Sequence, residues 1–348
     1  MPLDSVSGAA KQKMSQFKVA IISFAHMHAV SYAHNLEKMS DVKLVAIADD
    51  DSKRLDMTRE RFKTCGAFYS DFREMLDKEE IDAVVICSAN SDHAEIALEC
   101  AARKKHILCE KPLAITVEDG VAIIKAARDN GVKLMTAFPI RFNQAIHEAK
   151  KIIQSGGIGR ILGAATSNHG SMPGGWFVDP AKSGGGAVMD HTVHVADLLR
   201  WMLEDEVDEV YAEYDRLLHD IPSEDCGQLM LRFTKGTVVS LDTSWSRPKS
   251  YSIWGDVKME IKGEKGNLSI NCCPRTLNIY RNETMRHTSV SSGDDHDGLL
   301  VQEFVDAVRE NREPSVSGLD GLRAVEVALA AYEAGKRREV VVLKRAEV

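Results

Sequence analysis

Nowhere in the chain do about 18 consecutive apolar residues occur, the minimum a membrane-crossing helix needs. The first sixteen residues, rich in Ser, Gly, Ala and Lys, lack the apolar core of a secretion signal and read as a mobile tail. Blocks of basic charge are missing too, and the formal net charge is −8, so neither nucleic acid nor a membrane surface is an expected partner. The seven cysteines, Cys65, Cys87, Cys100, Cys109, Cys226, Cys272 and Cys273, are odd in number and lack metal-ligand spacing. They fit the reduced thiols of a soluble cytoplasmic protein and give no reason to expect a metal.

With 348 residues the chain exceeds the roughly 250–300 at which one core stops growing, so two domains are expected. From Phe17 onward short apolar runs alternate with amphipathic stretches, as βαβ units around a parallel sheet require. The runs 17–22, 43–48, 83–87, 106–109 and 134–138 read as buried strands of an α/β unit spanning residues 17–150. Thr116 and Asp119 have capping-box spacing for a helix that Asn130-Gly131 ends. After the break at 155–159 the texture is strand-rich. Runs at 161–167, 207–214, 228–233, 237–244, 257–262, 268–271 and 276–280 predict an open, largely antiparallel sheet in a second, α+β unit spanning 151–348. Two late helical segments, 299–310 and 319–335, are expected to pack back on the body of the protein.

A first strand running directly into a loop and helix is where a dinucleotide-binding fold holds its pyrophosphate, with glycines allowing close approach. Here the loop is Ser23-Phe24-Ala25-His26-Met27-His28 and has none of the three fingerprint glycines. Asp49 and Asp50 end the second strand, where an acid accepts from the adenosine ribose and repels a 2′-phosphate, which predicts NAD rather than NADP. Glu110-Lys111-Pro112 follows a strand end, where ligands of such folds lie and where a Lys can donate to a substrate oxygen.

With its surroundings, the segment Lys105-His106-Ile107-Leu108-Cys109-Glu110-Lys111-Pro112-Leu113-Ala114 resembles the signature of the glucose-fructose oxidoreductase and inositol dehydrogenase family, Gfo/Idh/MocA. The turn Ser88-Ala89-Asn90-Ser91-Asp92-His93 and the stretch Gly184-Gly185-Gly186-Ala187-Val188-Met189-Asp190-His191-Thr192-Val193-His194 are similar to two further family motifs, in the right order. Trp176-Phe177-Val178-Asp179-Pro180 resembles the aromatic-Asp-Pro segment that precedes the glycines. The resemblance implies an N-terminal Rossmann domain with a doubly wound sheet, a C-terminal open-sheet domain, and a nicotinamide site between them. It implies that Lys111, Asp190 and His194 are catalytic, and that a cis peptide bends the chain before the Pro of the Glu-Lys-Pro motif. Cofactor contacts are expected from Ser23, Phe24, Ala25, His26, Met27, Asp49, Asp50, Ser88, Asn90, His93, Glu110, Lys111 and Arg141. Substrate contacts are expected from Lys111, His169, Trp176, Asp190, His191 and His194. From spacing alone, Asp190 and His194 are four apart and share a helix face.

The implied activity is NAD-dependent hydride transfer at a secondary alcohol or ketone of a sugar, cyclic polyol or sugar derivative, by a homodimer or homotetramer. Three alternatives stay open. One is glycoside cleavage by oxidation and elimination with recycled NAD, and another is a non-enzymatic regulator, suggested by the lost glycines. The third is a zinc site drawn from His26, His28, His169, His191 and His194, of which His191 and His194 share a helix face with Asp190 nearby. Thr192 also replaces the family's usual Gly in the Asp-x-Gly-x-His stretch. Trp245 reads as core.

Overall fold

The computed structural model describes residues 16–251, 253–272, 275–281, 285–292 and 295–348. The tail, apart from Gln16, and Cys273 lie outside the described residues. The first half alternates strand and helix: β1 (Phe17–Ile22), α1 (His28–Lys38), β2 (Val42–Ala48), α2 (Ser52–Arg61), β3 (Ala67–Tyr69), α3 (Phe72–Lys78), β4 (Ala83–Ile86), α4 (His93–Ala102), β5 (His106–Glu110), α5 (Val117–Asn130) and β6 (Leu134–Ala137). The six strands form one parallel sheet in the order β3-β2-β1-β4-β5-β6, which reverses direction between β1 and β4 and so makes a ligand crevice there. Strand β4 is buried on both faces, as helices covering a parallel sheet require. The edge strand β3 has no counterpart among the predicted runs, because its three residues are too short for a period to show. Thr116 caps α5 by accepting from the Asp119 amide, and Gly131 ends it in the left-handed conformation.

The second half comprises α6 (Gln144–Gln154), β7 (Ile161–Gly170), α7 (Pro180–Ser183), α8 (Ala187–Leu203), β8 (Val207–Asp215), β9 (Cys226–Phe233), β10 (Val238–Ser244), β11 (Gly255–Gly263), β12 (Asn267–Asn271), β13 (Arg275–Arg281), β14 (Arg286–Ser292), α9 (His296–Arg309), α10 (Gly318–Arg337) and β15 (Val341–Val342). Seven strands form a mixed, mainly antiparallel sheet, β12-β11-β7-β10-β9-β8-β15, in which only β7 and β10 run parallel. Along β9, Leu229, Leu231 and Phe233 point inward while Gln228, Met230 and Arg232 face out, so one face is core and the other is open. Helix α8 lies on the inner face, and 15 of its 17 residues are buried, because α6 and α10 cover its remaining sides. Helix α9 packs on α1, and α10 on both α5 and α8, so the chain end clasps the first half to the second.

Candidate active site

The carboxyl ends of β1, β2 and β4 open into a cavity of about 630 Å³. Ser23, the first residue after β1, has φ +69°, the left-handed region that costs a residue with Cβ about 1–2 kcal/mol and glycine almost nothing. Its hydroxyl supports the turn: Oγ accepts from the Ala25 amide at 3.1 Å and lies 3.5 Å from Asp49 Oδ2. The backbone turn of a glycine loop is therefore kept without the glycine. Helix α1 then begins with no side-chain cap from Met27 and no acid in its first turn, which suits an anionic ligand.

Asp49 and Asp50 have different surroundings. Asp49 is buried and accepts from the amides of Phe24 (2.7 Å) and Asp51 (2.9 Å) and from Arg54 Nε (3.1 Å), so it organises the loop. Asp50 is exposed beside Arg54 at the cavity wall. Ser23, Ala25, Asp49, Asp50 and Ser88 line this cavity, whereas the Phe24 ring turns away to pack on Phe62 at 5.6 Å. Asn90 and His93 are buried braces: Asn90 Nδ2 donates to Ser183 O (2.8 Å), and His93 Nδ1 lies 2.9 Å from Pro112 O.

Arg141, expected to contact the cofactor, is placed in a buried clamp. Its guanidinium is buried, grips both carboxylate oxygens of Asp197 at 2.5 and 2.7 Å, lies 3.1 Å from Asp320 and donates to Ser315 O. These contacts clamp the turn after β6 to α8 and α10, and Arg141 lines neither cavity described here.

A second, smaller cavity of about 130 Å³ lies between the two halves, lined among others by His26, Met27, His28, Lys111, Asn168, His194, Trp254 and Asp256. Trp176 lines the larger one and Phe177 the smaller; their rings stack at 3.9 Å, and Trp176 Nε1 donates to Ala25 O at 3.1 Å. Lys111 enters from the end of β5, and its peptide to Pro112 is cis. Its Nζ lies 2.5 Å from Asp190 Oδ1. The other oxygen of Asp190 accepts from Trp245 Nε1 at 3.1 Å, with His191 Nε2 3.3 Å away. Burial alone would raise the Asp190 pKa, but the Lys111 ammonium and His191 hold the carboxylate well below its usual range. His194, one turn further along α8, is held well below the usual histidine range by burial and by the Lys111 charge, so its imidazole is neutral. A buried ammonium fixed by a carboxylate, beside a neutral imidazole, supplies an oxygen-polarising group and a proton acceptor at one small cavity.

The start of α8 explains why these groups meet. Glu224 Oε1 accepts from the amides of Gly186 (2.8 Å) and Val188 (3.0 Å), and the Tyr332 hydroxyl accepts from those of Gly186 and Met189. A Cβ on Gly185 would fall 1.9 Å from the Tyr332 oxygen, and one on Gly186 1.9 Å from Glu224 O, so the glycines let both caps approach.

Three further histidines lie close by. Buried His26 is pushed down to about 3 by burial, against the pull of Glu110. Burial would lower His28, but Glu110 outweighs it and raises the pKa. Burial would raise Glu110, but His26 and His28 lower it. His169 pairs with Asp242 at 3.2 Å, outside the residues lining the smaller cavity. His191 is buried behind Asp190 with Trp254 edge-on at 5.9 Å. Of the histidines considered for zinc, His169 is paired with Asp242, and Asp190, near His191, is engaged by Lys111 and Trp245. Among the described residues the donors that do converge are His26, His28 and Glu110. Trp245, Asn168, Trp254 and Asp256 were not singled out as site residues from sequence, since nothing in their local pattern marks them.

Residues 17–138 match the model of an oxidoreductase family described as an NAD-binding Rossmann fold, and residues 146–269 match the GFO/IDH/MocA C-terminal domain. The chain belongs to the Gfo/Idh/MocA family. It is accordingly an oxidoreductase acting on CH–OH groups, with an NAD-binding Rossmann domain. Among its relatives in the family, the myo-inositol 2-dehydrogenase of Thermotoga maritima is 27% identical, covering 94% of this chain and 98% of that one. The 1,5-anhydro-D-fructose reductase of Ensifer adhaerens is 30% identical, over 77% of this chain and 82% of its own length. The crystal structure of scyllo-inositol dehydrogenase from Lactobacillus casei with bound NAD(H) and scyllo-inositol superposes with a TM-score of 0.82 at 23% identity, covering 94% of this chain and 99% of that one.

Proposed function

We propose that this protein is an NAD-dependent dehydrogenase of a cyclic polyol or sugar, with Lys111, Asp190 and His194 at the reacting oxygen. The observation that carries the reading is the buried Lys111–Asp190 pair, whose Lys111 shares a small cavity with neutral His194. The larger cavity fits a dinucleotide: it lies outside the strand ends, keeps the left-handed turn at Ser23 and leaves the start of α1 without a side-chain cap from Met27. Ser23, Ala25, Asp50 and Ser88 would hold it. When bound, the nicotinamide exchanges a hydride with the substrate carbon.

The protein's own part is proton handling and positioning. In oxidation His194 takes the hydroxyl proton, since its neutral ring has acceptor capacity near neutral pH. Lys111 donates to the same oxygen and stabilises the negative charge that develops there. Asp190 fixes the Lys111 ammonium, and Trp245 fixes Asp190. Exposed Asp50 at the end of β2 favours a ribose hydroxyl over a 2′-phosphate, hence NAD over NADP. The boundary between cofactor and substrate units falls close to residue 150, and the open outer face of the second sheet, with Leu162 and Met230 exposed, is the self-association surface of a homodimer or homotetramer. Among the described residues the cysteines are free and, apart from Cys226, buried, which suits a reducing, cytoplasmic setting.

The test is absorbance at the NADH band during incubation with NAD or NADP and a panel of inositols, aldoses and glycosides. Reduction of NAD by a polyol or sugar is expected; aglycone release without net NADH, or no turnover across the panel, would overturn the reading.

A further inference from the structure

Hydride transfer as derived above makes no use of His26, His28 or Glu110. His26 and Glu110 are buried and His28 half-buried; His26 and His28 line the smaller cavity, and Glu110 contacts both. His28 Nδ1 lies 3.1 Å and His26 Nδ1 3.6 Å from one atom, Glu110 Oε1. One donor atom from each residue lies within 4.8 Å of the other two. Tetrahedral bonds of about 2.0–2.1 Å from a zinc-type ion place its donors roughly 3.4 Å apart, and the two separations from Glu110, 3.1 and 3.6 Å, bracket that spacing.

The supporting contacts hold this set in place. Glu110 Oε2 accepts from the Lys111 amide at 3.1 Å, which leaves Oε1 directed at the imidazoles. The His26 amide donates to Cys87 O at 2.9 Å, and the His26 ring packs on Phe177 at 5.3 Å, so neither its backbone nor its ring is loose. Two imidazoles and one carboxylate are a donor set that catalytic zinc uses, with a fourth position left open. Here the open side faces a cavity that Lys111 and His194 also line.

We propose that His26, His28 and Glu110 bind one divalent transition-metal ion of the zinc class, with its open position directed into the smaller cavity. That position takes water or a hydroxyl oxygen of a polyhydroxylated ligand. Occupancy of the site does not depend on the dehydrogenase reading, since it requires only the three donors and their supports.

Full-length protein stripped with a chelator and dialysed is titrated with Zn²⁺ by calorimetry and with Co²⁺ by visible absorption, whose intensity reports tetrahedral coordination. One equivalent of each ion is expected to bind. His28→Ala, at the half-buried ligand, should weaken binding at least tenfold with an unchanged far-UV spectrum, as should Glu110→Gln, while His219→Ala, beside Asp225 elsewhere in the fold, should leave it intact. Failure of the wild type to bind either ion, or unchanged affinity in His28→Ala, would overturn the proposal. Neither result alters the NADH measurement, so the two readings fail separately.

Discussion

The loop after β1 and the cluster around Lys111 relate to their sequences in opposite ways. In the loop the fingerprint residues are replaced, yet the backbone keeps the glycine conformation, since Ser23 takes φ +69° and its hydroxyl and Asp49 brace the turn. In the cluster the residue types are kept, and the chemistry depends on their side chains: an ammonium 2.5 Å from a carboxylate, with a neutral imidazole on the same cavity. Cofactor loops of this kind need a backbone shape, which more than one sequence can supply. Proton transfer needs specific titratable groups, and substitution there removes the function.

If that contrast holds, damage should be severe at the cluster and slight in the loop. The largest effect is expected from His194→Ala, which removes the proton acceptor and should lower kcat by about 10²–10⁴-fold with little change in NADH affinity, read by steady-state kinetics and fluorescence titration. The wild-type pH profile should agree. The folded pKa of His194 is below the ordinary value, so its base form survives as pH falls through about 6.5, and kcat/KM for oxidation should show no histidine-like drop there.

Arg141 marks the boundary of the cluster, because it clamps α8 without lining either cavity. Arg141→Met strands the buried Asp197 and should cost about 3–5 kcal/mol in urea unfolding, while the fraction that stays folded binds NADH as before. Trp245→Phe removes one donor from Asp190 and should lower kcat about tenfold, a loss of one neutral hydrogen bond to a charged group, with KM for NAD unchanged. The smallest effect belongs to the loop: Ser23→Gly relieves left-handed strain but loses the Oγ contact, so stability should shift by less than about 1 kcal/mol and KM for NAD by only a few-fold.

Much of the fold was legible in the sequence for a physical reason. Buried parallel strands are short apolar runs, and helix ends such as Thr116 and Gly131 carry their own caps. The motifs that single out Lys111, Asp190 and His194 name residues that the fold brings together, Lys111 and His194 on one cavity and Asp190 against Lys111. The site was not legible where partnership is decided by distant packing. Arg141 resembled a cleft residue until Asp197, 56 positions away, was seen to occupy it. Trp245 looked like core, and it is buried, but its Nε1 meets Asp190, 55 positions earlier. Asp49 and Asp50 are neighbours in sequence, yet one turns into the loop and the other to solvent, a division set by the Phe24 and Asp51 amides.

The central claim is that Lys111 polarises the reacting oxygen, and single-turnover NADH formation by Lys111→Met tests it most directly. The account predicts a loss of about 10²–10³-fold in the rate of hydride transfer, the scale of removing one charge-stabilising donor, with NADH affinity within a few-fold and an unchanged far-UV spectrum. A rate within tenfold of wild type in that folded, cofactor-binding variant would contradict it.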